Sequence, residues 1–259
     1  MTDSPTVPID LSGKASEHFA RVASDWSARY QQRPSFLARL AIVSQAIDGI
    51  LKGRHGKSVL DIGGGTGIFA AVASAWADEV IVVDPSSAMV QAGTENRLAM
   101  VALLRSAGLT CRLNCIRWVV GDIDCLSPSI TERFNLVLAI AVLEYMNDVP
   151  TTVRRLLQLT TPSGSVLLTV PRPRSLIRRM ERPLDYVAVR IGSAAGYARL
   201  ARRDYASLRP HGSSVPWQEA IDPGSAAIRQ HLALPLGTSG WRRHVNPSEL
   251  VHVVSTPVR

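Results

Sequence analysis

Apolar and polar positions change their period several times along the 259 residues of this chain. Over residues 17–50, Phe19, Val22, Trp26 and Tyr30, then Leu37, Leu40, Ile42, Val43 and Ile47, recur at helical spacing, with a break at Pro34. This predicts two helices behind an unstructured lead of residues 1 to about 13. From Ser58 the pattern turns into short apolar runs. Ser58–Ile62, Glu79–Asp84, Ile116–Val120, 134–141 and 165–170 predict five strands, the last entered through a Pro162-Ser163-Gly164 turn and stopped by Pro171. Helical spacing fills the intervals: 68–76, then a helix capped by Ser86 and running through Met89 and Val90 toward Leu104, then 149–159. Residues 97–115 are expected to extend the second of these and its loop. Strands alternating with helices predict a parallel sheet covered on both faces.

The alternation stops after Pro171. Residues 172–226 are rich in arginine, helical in part, and closed by loops containing Pro210, Pro216 and Pro223. Two strand-like runs, 227–236 and 250–255, finish the chain, and there is neither an internal repeat nor a low-complexity tract.

Composition narrows the class. With 46% apolar and 19% charged residues, disorder as the main state is excluded. No uninterrupted apolar run approaches the roughly 20 residues of a membrane span; the richest, 134–146, already contains Asn135 and Glu144. The N-terminus carries Asp3, Pro5, Pro8 and Asp10 rather than the basic-then-apolar order of a signal peptide, so a cytoplasmic location is expected. Cys111, Cys115 and Cys125 make neither a disulfide framework nor a zinc pattern and are read as packing residues.

The chemistry concentrates after the first strand, where Asp61-Ile62 leads into Gly63-Gly64-Gly65-Thr66-Gly67 and a helix. Bare backbone N–H groups there let a ligand approach closely. A dinucleotide fingerprint starting at Gly63 would need a sixth-position glycine, and that residue is Ile68; a phosphate loop would need Lys after Gly67, and the residue is again Ile68. Phosphate cradling is therefore disfavoured.

The run from Val59 to Gly67 closely resembles the first motif of class I S-adenosylmethionine-dependent methyltransferases. Three further features stand in the order of that family: Asp84 ending the second strand, Asp122 after the third, and Phe134-Asn135-Leu136-Val137-Leu138 with Val142-Leu143-Glu144-Tyr145 around the end of the fourth. The resemblance covers about residues 15–170, with weaker support from the two terminal strands. It implies S-adenosyl-L-methionine as cofactor. Asp84 would receive both ribose hydroxyls, Asp122 would face the adenine amino group with Ile123 beside the ring, and Asp61 would orient the loop or meet the methionine amino group. Gly63, Gly65, Thr66 and Gly67 would supply the turn, with Pro85 and Ala139 completing the set. Tyr30 and Arg33 stand where N-terminal helices of similar enzymes close over the methionine end.

The implied fold is α/β: a seven-stranded, mostly parallel sheet with one antiparallel terminal strand and helices on both faces. It divides a single methyltransferase domain, 1–259, into a lead and helical cap (1–56), a cofactor-binding core (57–171), a lid inserted between strands five and six (172–226) and a terminal strand pair (227–259).

Departures from family patterns shape the expected reaction. Enzymes that methylate base amines carry a Pro-Pro-aromatic motif after strand four, where this chain has Ala139-Ile140-Ala141-Val142. Cytosine-C5 enzymes need a cysteine nucleophile there, and none follows Cys125. DNA is thus not expected as a partner, and RNA, favoured only by the net charge of +8, is disfavoured. The Glu-x-x-Glu-His metal cluster of ubiquinone-pathway relatives is reduced to Ala141, Glu144 and Tyr145, so no metal is expected.

His211, in Leu208-Arg209-Pro210-His211-Gly212, is the candidate general base, and Tyr145 the candidate positioning residue beside the methyl group. Between residues 172 and 209 ten arginines face three acids, on a segment whose Leu176, Ile177, Met180, Leu184 and Val187 recur at helical spacing. The guanidinium groups predict a small, acidic metabolite (phosphorylated, nucleotide-linked or carrier-bound) as substrate, with Arg178 and Arg179 among its contacts, and the apolar face is expected either to dock on the core or, for a lipid substrate, to lie on an anionic membrane surface. A cofactor-binding scaffold that does not methylate is the alternative reading, an RNA methyltransferase the third; the oligomeric state is left open.

Overall fold

The computed structural model describes residues 11–32, 34–53, 56–123, 133–171, 227–233 and 249–256. Two helices come first, α1 (Leu11–Gln32) and α2 (Pro34–Leu51), separated where Pro34 predicts the break. Strand β1 (Ser58–Ile62) then leads through the glycine loop into α3 (Ile68–Ala73). Next come β2 (Glu79–Asp84), α4 (Ser87–Glu95), α5 (Arg97–Ser106), β3 (Ile116–Val120) and β4 (Phe134–Ala139). The last elements are α6 (Val149–Gln158), β5 (Thr160–Pro171), β6 (Ala227–Ala233) and β7 (Glu249–Ser255).

The seven strands form one sheet in the order β3-β2-β1-β4-β5-β7-β6. All neighbours pair in parallel except β7, which runs antiparallel to both β5 and β6. The predicted architecture therefore holds. Pairings Ile62↔Val83 and Asp84↔Val120 bring the C-terminal ends of β1, β2 and β3 to one edge. The chain winds outward in one direction from β1 through β2 to β3, and in the other from β4 to β5. The β1/β4 junction is thus the switch point where open α/β sheets bind ligands.

Period-two alternation divides the core. Val59, Val80, Val82, Leu136 and Leu138 face α2, α3 and α5, packing on Leu40, Val43, Ile47 and Leu104. Leu60, Ile62, Ile81, Val83 and Val137 face the other way, onto Val149, Val153 and Leu156 of α6. Helix α6 shows why it forms. Its buried Val149, Thr152, Val153 and Leu156 follow i, i+3, i+4, i+7, and Asp148 caps it by accepting a 3.0 Å hydrogen bond from Thr151 N–H. The polar Asn135 in buried β4 is satisfied at both ends, accepting from Ser58 N–H at 3.0 Å and donating to Thr161 Oγ1 at 3.3 Å.

Element ends differ from expectation in ways with local causes. Helix α1 already includes Leu11 to Gly13, which the sequence pattern assigns to the lead. The single helix expected toward Leu104 is two, because Asn96 turns its side chain back to donate to Ala92 O at 2.9 Å and leaves helical geometry. The excursion after α5 is then tied down by Arg112, whose guanidinium donates to Ser74 O and Ala77 O. The first helix after the glycine loop ends at Ala73 rather than residue 76. Strand β4 stops at Ala139, two residues early, since Ala141 takes a left-handed φ of 54°. The predicted 162–164 turn lies within β5: Thr160 and Ser165 both pair with β4, and Ser163, at φ 66°, carries the excursion between them. The end of the predicted 227–236 strand and residues 172–226, expected to form the lid, lie outside the described residues.

Candidate active site

The site grows from the turn after β1. Both Gly63 N–H and Gly64 N–H donate to Val83 O, at 2.8 and 3.3 Å, and Gly67 N–H donates to Gly64 O at 2.9 Å. This folds the loop back over the β1–β2 edge, with Gly63 and Gly67 at φ +64° and +78°. Crowding adds to the backbone requirement. A Cβ on Gly63 would overlap Val142 Cγ2, and one on Gly64 would lie 2.7 Å from Asp61 Oδ2 and 2.8 Å from Val82 Cγ1.

Gly63→Ala is accordingly expected to cost about 2–4 kcal/mol of stability, the left-handed backbone and the overlap adding together. Gly53→Ala, at φ +72° with nothing within 4 Å, isolates the backbone part and is expected to cost about 1 kcal/mol. Urea unfolding of the two variants measures the difference, and equal losses would show that Val142 yields.

Two carboxylates sit beside this loop. Asp84, 7% exposed, accepts from Gly65 N–H at 2.8 Å through Oδ2 and from Ser86 N–H at 2.9 Å through Oδ1. Burial raises its carboxyl above the usual range, and the hydrogen bonds from Ser86 and Gly65 pull it back. A carboxylate has about four acceptor positions, so each oxygen keeps capacity toward the cavity. Asp61 is 1% exposed, and its Oδ2 has no hydrogen-bond partner among the described residues. Burial first, and the nearby charge of Asp84 second, push its carboxyl up to about 8, against a backbone hydrogen bond from Ala70.

A cavity of about 210 Å³ opens over these groups. Its wall includes Asp61, Gly63, Gly65, Asp84, Pro85, Asp122, Ile123 and Tyr145, which brings most of the predicted cofactor residues and the predicted positioning tyrosine to one place. Asp122 gets there because Gly121 N–H donates to Asp84 O at 3.0 Å, closing the end of β3 onto β2. Three predicted residues stand behind the wall instead. Thr66 and Ala139 are buried in the core, and Gly67 packs its bare Cα on the indole of Trp118. At the end of β4 it is Ile140, Ala141 and Val142 that face the cavity. Tyr30 belongs to α1 with its side chain outside the described residues, and Arg33, Arg178, Arg179 and His211 also lie outside them.

Several wall residues escape the motif reading. Phe19 and Trp26 of α1 and Phe36 of α2 form an edge-to-face series, with ring centroids 5.3 Å and 5.6 Å apart, and Phe19 meets the Tyr145 ring at 5.5 Å. Arg39 lies over Phe36 at 5.3 Å and also reaches the wall, as do Met89, Glu144 and Met146. The signal was present in α2: Phe36 and Arg39 are i, i+3 partners beside the core stripe of Leu40, Val43 and Ile47. Among the described residues no group of three or more His, Cys, Asp or Glu side chains is arranged to hold a metal ion. No helix among them is long and apolar enough to cross a membrane.

Solved structures share this architecture. The N-methyltransferase NodS from Bradyrhizobium japonicum WM9, in complex with S-adenosyl-L-homocysteine, superposes with a TM-score of 0.53 at 16% identity over 96% of this chain and 100% of its own. The DhpI–SAH complex gives 0.53 at 13% identity, covering 96% and 98%, and the YcgJ protein of Bacillus subtilis gives 0.51 at 16%, covering 85% and 99%. At these identities the likeness is one of fold. No curated protein matches the sequence. The family model described as a methyltransferase domain matches residues 29–215, most of the chain. With that match, a sheet of this order and a glycine loop at its switch point, the chain belongs to the class I S-adenosylmethionine-dependent methyltransferases.

Proposed function

We propose that this enzyme transfers a methyl group from S-adenosylmethionine to a small metabolite bearing an acidic group, by direct displacement and without a metal ion. The observation that carries the cofactor assignment is the buried, unmatched Oδ2 of Asp61 beside a loop whose glycines a Cβ would fill. An ammonium group supplies the donor that this oxygen lacks, and the methionine end of the cofactor carries one. Asp84 adds acceptor capacity for the two ribose hydroxyls. Pro85 and Ile123 offer apolar surface to the adenine, and Asp122 an acceptor for its amino group. When bound, the cofactor supplies a methyl group activated on a sulfonium. The chain's part is then to align the acceptor and keep water out, for which the ring wall of Phe19, Trp26 and Tyr145 is suited.

The acidic acceptor is read from charge. With ten arginines against three acids, residues 172–209 carry a net +7 of the chain's +8, and guanidinium groups bind carboxylate and phosphate through two parallel hydrogen bonds. Arg39 on the described wall adds a cation of the same kind.

Mass spectrometry of metabolites from a deletion strain tests the assignment: a compound lacking one methyl group is expected to accumulate. Tight binding of S-adenosylhomocysteine without any such compound would favour a scaffold that does not methylate. With the acceptor in hand, turnover is expected to persist in chelator. Its KM is expected to rise with salt, because exposed charge contacts are screened over roughly 8–10 Å near physiological ionic strength. An Arg178→Ala, Arg179→Ala variant is expected to lose most of that dependence, and a salt-independent KM in the parent enzyme would reject the acidic acceptor.

A further inference from the structure

The wall of the cavity at the end of β4 is held in an unusual shape. Among the described residues Ala141 and Ser163 are the non-glycine positions with positive φ, and Ser163 belongs to the excursion within β5, while Ala141, at 54°, lines the cavity. Alanine has no polar side chain with which to support a left-handed conformation, as asparagine or aspartate do. Support has to come from outside. The β4–β5 ladder ends at Ala139↔Leu168, so the backbone of β5 no longer reaches the chain beyond it. Thr169 is the next residue of β5, 1% exposed and paired through its backbone with Val251 of β7. Its Oγ1 accepts a 2.8 Å hydrogen bond from Ala141 N–H. A side chain thus extends the sheet's hold by one further bond after the ladder has run out.

The course of the chain beyond Ala141 depends on that bond. Val142 projects onto Gly63, at the spot a Cβ would occupy, which sets the height of the β4 end against the glycine loop. Tyr145 N–H donates to Val142 O at 2.9 Å, so the turn carrying Glu144 and Tyr145 into the cavity wall is built on the same residue. We infer that Thr169 is a positioning residue of this methyltransferase: through Ala141 it fixes the wall formed by Ala141, Val142 and Tyr145, and with it the fit of the part of the cofactor beyond the ribose. The assignment of the wall to that end of the cofactor rests on the functional reading above.

The test compares two probes, S-adenosylhomocysteine and adenosine, by calorimetry on the full chain. Adenosine reports on the Asp84, Asp122 and Ile123 side, and the longer ligand on both sides. Thr169→Val keeps the shape and removes the acceptor. It is expected to weaken S-adenosylhomocysteine about tenfold and adenosine less than twofold, while Thr169→Ser keeps the parent affinity for both. Adding Ala141→Gly to Thr169→Val is expected to recover part of the loss, because glycine takes the left-handed φ without steric cost. Amide hydrogen exchange at Ala141, followed by NMR without ligand, is expected to speed up about tenfold in Thr169→Val and to stay unchanged in Thr169→Ser. Unchanged exchange, or equal weakening of both probes alongside a drop in Tm, would overturn the inference. If Thr169→Val does not fold, the exchange measurement on Thr169→Ala decides in the same way. A parent chain that binds neither probe would sink the cofactor assignment instead, while the exchange result would still judge the role of Thr169.

Discussion

Asp84→Asn is expected to weaken S-adenosylhomocysteine binding by about 2–4 kcal/mol, roughly 30- to 1000-fold in Kd. The carboxylate holds two structural N–H groups, those of Gly65 and Ser86, and is read as accepting two ribose hydroxyls with the capacity that remains. Hydrogen bonds to a charged acceptor are about twice as strong as neutral ones, so two of them are worth about 3–6 kcal/mol, and the oxygen that asparagine keeps holds the loss to the lower part of that range. An asparagine keeps one oxygen acceptor but presents an NH₂ group where the second acceptor stood, facing an N–H or a hydroxyl. Asp84→Ala loses the same contacts and also leaves Gly65 N–H and Ser86 N–H unmatched, so it is expected to lower Tm more than Asp84→Asn does. Calorimetric titration alongside thermal melts separates the two effects. An Asp84→Asn chain with the parent affinity would refute the ribose assignment.

Asp61 is expected to make cofactor binding release a proton. With its carboxyl pushed up to about 8 by burial and by Asp84, the group is mostly protonated near pH 7 before ligand arrives. A cationic ammonium beside Oδ2 favours the ionised form. Below pH 8 binding therefore includes ionisation, and the observed affinity should rise by up to about tenfold per pH unit from pH 6 toward 8, then level off. Enthalpies measured at pH 7 in buffers of different ionisation enthalpy should report close to one proton released, and Asp61→Asn should abolish both effects.

The same shift governs the stability of the free protein. A carboxyl whose folded pKa lies above its unfolded value contributes stability that is complete below about pH 4 and is lost as pH rises through about 8. Without ligand, Tm should fall between pH 5 and 8.5. Asp61→Asn should flatten that fall, and S-adenosylhomocysteine should restore the parent Tm at the alkaline end. Affinity and enthalpy independent of pH and buffer would mean that Asp61 is already ionised before binding.

Much of the fold was legible because the relevant forces are local. The runs at 58–62 and 79–84 are largely apolar strands buried inside the sheet, 116–120 is its part-exposed edge strand, and the strand ends carry Asp84 and the Gly121-Asp122 pair in plain order. Pro34 and Ser86 act within three residues of themselves, as helix interrupter and cap, and both stand where expected. The element ends that differ have causes remote from pattern. The Asn96 break depends on one side chain choosing Ala92 O over solvent, and the end of β4 on a hydrogen bond from residue 141 to residue 169.

The site divides along the same line. By itself the sequence determined the strand–glycine–helix turn and the acidic residues at successive strand ends, because glycine's freedom at positive φ and a carboxylate's acceptor capacity belong to the residue type. Tertiary structure alone decided which groups share a cavity. Phe19, Trp26, Phe36 and Arg39 come from helices whose spacing reads as ordinary core, and they become a wall only because α1 packs on α4 and the first turns of α2 reach the cavity. It also decided that Thr66 and Ala139 are buried in the core while Ala141 and Val142 line the cavity, the left-handed Ala141 re-aiming the chain beyond β4. The unusual protonation of Asp61 is of this kind as well: nothing in its neighbours along the chain would raise it, whereas complete burial beside Asp84 does.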